Sequence, residues 1–519
     1  MRFEVFAARL EPASHGPQAV VLVPDSQDDD EYLTLHDLWF RDGSGSVALL
    51  GQVKVGYSDQ VRGQRPMAAA WFETLEGFQG QLYWFSLGQD DAYYENVRKL
   101  GPTLRVEILT ALRDVAFSHK VFHEALLWDV TRVSLMRSVE RRTVEDQFRR
   151  IALGGPRLTE YRFEYIAPPG KSGESPSLPP RRLTFEVTPH ASPPTNIHVL
   201  IGRNGVGKTT LLRNIAQAVL SRRKSDAVAG AVAWYPWGTR ASFANVVSVT
   251  FSAFDPFAPL NPRSWPGGTQ AGYAYVGLAK TGEPGGHVSG ERKSYDELGE
   301  EFRNSLVEVL AAGRGARWIR ALDRLSSDPY LADLPLSDLI DSLDGQPGDE
   351  DLEEVEKIFS ALSSGHKIVL LTITRLVETI VERSLVLLDE PEAHLHPPLL
   401  AAFIRALSDL LIDRNGVALI ATHSPVVLQE VPRSCVWKLN GWGTRLPTRP
   451  GIETFGENVG VLTHEVFGLE VRESGFHAEL NAAVNELGTY ESVLQRFNGQ
   501  LGGEAKGLVR ILLAHRGRR

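Results

Sequence analysis

The chain has 519 residues, 43% apolar and 23% charged, a balance that fits a folded protein of more than one unit and excludes a disordered one. A formal net charge of −9 excludes a surface built throughout for nucleic acid, although a local basic patch would survive within that balance. The single cysteine, Cys435, excludes an internal disulfide, and the lack of any run of ~18 uninterrupted apolar residues argues against a membrane span, so a reducing, cytoplasmic setting is the expectation.

In chain order, the first residues carry Arg2 and Glu4 and do not read as a secretory signal. Residues 20–23 and 47–55 read as strands. Val106, Leu109, Leu112, Val115 and Phe117 then follow helical spacing, and residues 137–150 read as a basic helix. Asp90 and Asp91, beside Tyr93 and Tyr94, read as a solvated helix start rather than an acid–base pair. Residues 1–155 are therefore expected to form an N-terminal α+β domain without a catalytic constellation. A Pro/Gly/Ser-rich loop at 168–180 separates two further strands, 162–166 and 182–187, which suggests an antiparallel lobe.

An apolar strand, 197–201, runs into Gly202-Arg203-Asn204-Gly205-Val206-Gly207-Lys208-Thr209, and a helical pattern starting at Thr210 follows. Strand, glycine loop and helix in this order are what a phosphate-binding loop requires. The glycines let successive N–H groups converge, and the new helix adds the positive end of its dipole. Lys208 would reach the β- and γ-phosphates, and the Thr209 hydroxyl would hold Mg²⁺. Downstream, residues 246–251 read as a strand, and Phe302, Leu306, Val309 and Leu310 share a helix face. The acidic run from Asp349 reads as a helix start.

Ser363-Ser364-Gly365-His366 precedes an apolar helix and reads either as a plain N-cap or as an anion-binding turn. Residues 384–388 form an apolar strand that ends at Asp389 and Glu390. At the C-terminal end of a buried parallel strand, Asp389 would hold Mg²⁺ and Glu390 would accept a proton from an attacking water. His394 and His396 find no Cys or further His at a matching ligand spacing, so a metal pair is not expected there. A last apolar strand, 417–421, ends at Thr422 and His423, and His423 is placed to sense a γ-phosphate.

These pieces, in this order, resemble the ATP-binding-cassette (ABC) ATPase superfamily, in its soluble SMC-like and OLD-like branch, over about residues 160–445. The resemblance makes 202–209 the Walker A motif, 363–366 a degenerate signature, 385–390 Walker B, 392–397 the D-loop and His423 the switch histidine. It implies an α/β fold with an ABC-type P-loop head (156–445; a mixed sheet with an antiparallel lobe); the resemblance does not cover the ends, where the sequence pattern leads to the expectation of a mixed α/β N-terminal domain (1–155) and a helical C-terminal partner or dimer segment (446–519). It further implies ATP contacts at Gly202, Asn204, Gly205, Gly207, Lys208, Thr209, Thr210, Ser363 and Gly365. Mg²⁺ would lie at Thr209 and Asp389, with Glu390 and His423 catalytic. Two heads would sandwich two ATP molecules, the signature of one facing the Walker motifs of the other. No Gln follows the strand at 246–251, so Ser252 or Asp255 are left as candidates for the Q-loop contact.

Residues 252–257, the stretch Glu453-Thr454-Phe455-Gly456-Glu457-Asn458 and Val466-Phe467 also resemble PtuA-type ATPases of Septu and retron anti-phage systems. That resemblance implies a nuclease partner in trans, of HNH type, and no membrane partner. DNA contact through the basic clusters at 222–224 and 516–519 stays open, as do two other readings, the ATPase subunit of a transporter and a non-hydrolysing scaffold. Leu480, Leu487, Leu494 and Phe497 lie at helical spacing and suit either a docking helix or packing within the chain.

Overall fold

A computed structural model describes residues 1–7, 12, 16–25, 31–64, 67, 70–76, 78, 82–168, 181–221, 229–235, 242–250, 260, 269, 271–280, 292–312, 314–333, 349–439, 446–473 and 475–516. The 252–257 stretch, the 222–224 cluster and residues 517–519 lie outside the described residues.

Six strands form the first sheet: β1 (Arg2–Val5), β2 (Ala19–Pro24), β3 (Leu35–Arg41), β4 (Val47–Tyr57), β5 (Ala70–Phe72) and β6 (Trp84–Gly88). Their order is β5-β1-β2-β3-β4-β6, antiparallel except for β1 with β2. The helices Asp91–Lys99, Pro102–Ala111 and His119–Ala125 pack on it around one core, in which Phe3, Trp84, Tyr94 and Phe148 are buried.

Nine strands follow: β7 (Tyr161–Ile166), β8 (Arg182–Val187), β9 (Ile197–Gly202), β10 (Ala231–Tyr235), β11 (Asn245–Thr250), β12 (Gly272–Gly277), β13 (Ser384–Asp389), β14 (Val417–Thr422) and β15 (Val436–Leu439). They divide into two sheets. β10-β7-β8 is an antiparallel lobe, and β12-β11-β13-β14-β9-β15 is parallel throughout. The antiparallel lobe expected from the sequence is present as a sheet of its own, and the core sheet is parallel rather than mixed. Parallel neighbours need long crossovers, which the helices Ser364–Thr379 and Pro397–Asp413 help to supply.

Every residue of β9, β13 and β14 is buried, as continuous apolar runs require of strands covered on both faces. Alternation divides them between two cores. Val199, Ile201, Val386, Leu388 and Ile420 meet the helices Tyr295–Ala311, Gly315–Asp323, Ser364–Thr379 and Pro397–Asp413. Leu200, Leu385, Leu387 and Leu419 meet the helix Lys208–Leu220 and the antiparallel lobe. Residues 475–516 make a small helical bundle around Leu480, Val484, Val493 and Val509, with Leu487 and Phe497 packed against it. The apolar stripe is therefore spent largely inside the bundle, and Arg516 donates to the Val484 carbonyl there.

The acidic pair at 90–91 does start a helix, with the half-exposed Asp90 accepting from the Ala92 N–H at 2.9 Å, but Asp91 is not solvated. Asp91 is fully buried, bonded to Arg414 at 2.7 Å and Arg157 at 2.6 Å, and Arg414 also reaches Asp90 at 3.1 Å. Arg150 pairs with the buried Glu382 beside this network. Arg414 precedes β14 and Glu382 precedes β13, so the first sheet is joined to the parallel sheet at the edge where its strands begin. Removing one member of a buried charge network strands the others. Arg414→Ala is expected to cost about 3 kcal/mol or more in urea unfolding and to speed proteolytic separation of the N-terminal unit.

His198 on β9 is buried edge-on to Phe185, with ring centroids 5.2 Å apart. Burial, aided by the Arg449 charge, pushes its imidazole down to about 3. The unfolded chain takes up this proton near pH 6.5 and the folded chain does not, so the stability His198 contributes is present above ~6.5 and lost as pH falls toward 3. His198→Phe should flatten the loss of urea stability across that window by up to ~1.4 kcal/mol per pH unit.

Candidate functional site

The loop after β9 needs glycine for two reasons. Gly205 and Gly207 stand at φ 78° and 90°, where a side chain is strained. At Gly202, an added Cβ would lie 2.5 Å from the Leu439 carbonyl oxygen of neighbouring β15. Gly207 is the N-cap of the helix Lys208–Leu220 and no side chain caps that helix. Its leading N–H groups are therefore to be met by water or an anion, and a phosphate suits them best. Lys208, only 4% exposed at its side chain, folds back over the loop and donates to the Gly202 and Arg203 carbonyls at 3.2 Å each. Thr209 follows half-buried, while Asn204 and Thr210 are exposed.

The strand order decides what faces this loop. β14 stands between β9 and β13, with Ala421 paired to both Leu200 and Asp389. Neighbouring strands are about 4.8 Å apart, so the ends of β9 and β13 lie roughly 10 Å apart with the end of β14 between them. Lys208 and Glu390 reach across that gap, bringing Nζ to 4.0 Å from Oε1. Asp389 ends β13 and is buried. Glu390 turns sharply at φ 48°, its N–H donating to the Ala421 carbonyl at 2.9 Å, and its carboxylate remains partly open to solvent. A non-glycine residue at positive φ is held there only when its surroundings fix it.

His423 sits at the end of β14, with Nδ1 3.8 Å from Glu390 and 3.2 Å from Glu392. Glu392 is the residue that sequence reasoning passed over. Its Oε1 accepts from the Thr422 hydroxyl at 2.6 Å and from the His423 N–H at 2.8 Å. The carboxylate thus fixes both the turn and the ring of His423. These contacts span thirty residues of chain, so spacing within either motif could not reveal them.

Ser363 and Gly365 stand at the start of a different helix. Ser363 is the N-cap of the helix Ser364–Thr379, its Oγ accepting from the His366 N–H at 3.4 Å and lying 2.9 Å from His366 Nδ1. Gly365 packs against the loop after Glu390, and a Cβ there would lie 2.6 Å from the His394 carbonyl oxygen. The residues present fit a nucleoside triphosphate and a hard cation. An uncapped helix start and a buried ammonium suit phosphate. A threonine hydroxyl and an aspartate are the oxygen donors Mg²⁺ takes.

A model of the family "AAA domain, putative AbiEii toxin, Type IV TA system" matches residues 284–429. That match contains Ser363, Gly365, Asp389, Glu390 and His423 and begins after the glycine loop. Protein ea59 of Escherichia phage lambda is 38% identical over 515 residues, covering 95% of this chain and 94% of the relative. The chain belongs to the Ea59 family. Among solved structures, an inward-facing putative metal-chelate type ABC transporter is 14% identical with a TM-score of 0.29, covering 60% of this chain and 90% of its own. A bacterial Atm1-family ABC exporter with ATP bound is 15% identical with a TM-score of 0.29, covering 74% and 60%. These likenesses are distant. No helix among the described residues is long and apolar enough to cross a membrane.

The Gly365 contact makes a direct prediction. Gly365→Ala must displace the His394 backbone and is expected to lower stability by about 1–3 kcal/mol in thermal or urea unfolding. Gly43→Ala, where an added Cβ meets nothing within 4 Å, should stay close to the parent.

Proposed function

We propose that this Ea59-family chain is an ATP-binding and ATP-hydrolysing switch that closes as a dimer and controls a nuclease or other DNA-processing partner. The observation that carries the ATPase reading is the meeting of Lys208, Glu390 and His423 at one end of the parallel sheet. Lys208 and the N–H groups of 202–209 hold the triphosphate. Mg²⁺ at Thr209 and Asp389 would offset phosphate charge. Glu390 takes the proton from the attacking water, and its open carboxylate leaves room for that water. His423, held by Glu392, donates to the terminal phosphate from between the two strands.

The dimer rests on Ser363 and Gly365, at the start of the helix that packs through Gly365 against the His394 backbone. In this reading they complete the site of a second copy. The chain then divides into an N-terminal domain (1–155), an ATPase head (156–445) and a helical C-terminal segment (446–519), in line with the separate N-terminal and C-terminal cores. The toxin–antitoxin description of the matched domain family and the phage source of the relative support a role for the switch in conflict between phage and host; in this reading the nuclease is supplied in trans.

Glu390→Gln tests the reading. Phosphate release should fall by at least about 100-fold while ATP binding persists, and light scattering should find the variant trapped as a dimer with ATP alone. An unchanged hydrolysis rate would make the protein a scaffold and remove Glu390 from catalysis. A variant that stays monomeric with saturating ATP would remove the sandwich.

A further inference from the structure

Three side chains that no motif reading joins meet beside the candidate nucleotide site. Asp328 lies before the short helix Pro329–Ala332, His366 in the first turn of the helix Ser364–Thr379, and His396 at the N-cap of the helix Pro397–Asp413. Asp328 Oδ2 is 3.1 Å from His396 Nε2 and 3.4 Å from His366 Nε2, and the three ligand atoms all lie within 4.8 Å of one another. We propose that Asp328, His366 and His396 form a Zn²⁺-class site that clamps the Ser363–Gly365 turn to the loop after Glu390.

The geometry fits the ion. Zn–N and Zn–O bonds of about 2.0–2.2 Å at tetrahedral angles place neighbouring ligand atoms roughly 3.3–3.5 Å apart. The two distances to Asp328 Oδ2 are close to such edges. Two imidazoles and one carboxylate leave a fourth position for water, and His396 is exposed enough to admit an ion while Asp328 and most of His366 are covered.

The surrounding bonds also suit it. The Asp328 carboxylate divides its work: Oδ1 accepts from the Tyr330 and Leu331 N–H groups at 3.0 and 3.4 Å, while Oδ2 faces both histidines. His366 Nδ1 is engaged by the Ser363 hydroxyl at 2.9 Å and Tyr330 stacks on the ring at 5.2 Å, which together orient Nε2 toward Asp328. His366 Nε2 is itself buried and makes no hydrogen bond of acceptable geometry. Two bonds oppose occupancy: His396 Nε2 donates to Asp328 Oδ2 at 3.1 Å, the contact the ion would replace, and His396 Nδ1 accepts from the Leu399 N–H at 3.3 Å. A neutral imidazole that binds metal through Nε2 carries its proton on Nδ1, so metal entry gives up both contacts.

The sequence argument against a metal at His394 and His396 looked for ligands at motif spacing. The proposed partners lie 30 and 68 residues away, joined by folding alone.

The test uses the full-length chain, stripped with a chelator and titrated with Zn²⁺ against a competing indicator, with Co²⁺ as a spectroscopic stand-in. One equivalent per chain is expected, with Co²⁺ bands of four-coordinate intensity and a higher melting temperature in Zn²⁺. Asp328→Asn keeps the Oδ1 cap and should still fold, yet it should weaken Zn²⁺ binding by more than about 10-fold and lose the melting shift, as should His366→Ala. The exposed pair His119 and His123, whose Nε2 atoms are 3.2 Å apart, could take up metal independently, so the series is run in a His119→Ala background. Failure to bind near-stoichiometric Zn²⁺, or binding unaltered by both substitutions, would overturn the proposal. Neither outcome touches the ATPase reading, because no readout involves nucleotide.

Discussion

The parallel ladder β9–β14–β13 is the constraint on which the site depends. Its hydrogen bonds hold Leu200, Ala421 and Asp389 level, so the chain leaves each strand at the same height. Three loops distant in sequence then open onto one space. The inserted strand matters as much as the outer two. Without β14 between them, the glycine loop and Asp389 would be adjacent, with no gap for a phosphate and no place for His423. A slip of one residue in either ladder would turn buried strand residues to the opposite core and move one loop by about 3.3 Å, more than a hydrogen bond tolerates.

The anchoring of the N-terminal sheet follows the same logic. It is held at the strand-starting edge by Arg414, Asp90, Asp91 and Arg157, at the opposite end of the strands from the glycine loop and Asp389. Arg414 directly follows the helix Pro397–Asp413, whose other end begins beside His396. One helix therefore runs from the loop after Glu390 to the N-terminal sheet.

Much of the parallel core was legible because its signals are local. Residues 197–202, 384–389 and 417–422 are apolar runs closed by glycine or polar residues, and a fully buried parallel strand has no other way to read. The glycine loop was legible because Gly205 and Gly207 are required by backbone angle. What was not legible came from contacts between distant segments. Asp91 looked like a solvated cap because its partners, Arg157 and Arg414, lie far along the chain. Glu392 looked like loop sequence until folding set it under Thr422 and His423. The meeting of Asp328 with His366 and His396 was hidden for the same reason, and so was the separation of the antiparallel lobe into its own sheet.

The most direct measurement of the central claim is the affinity of a fluorescent ATP analogue for the intact chain and for Lys208→Ala. A buried ammonium that closes the phosphate loop should be worth at least about 10-fold in binding, with the secondary structure of the variant unchanged. Equal affinity in the two proteins would mean that triphosphate is not held at 202–209, and the account of Glu390, His423 and the dimer would fall with it.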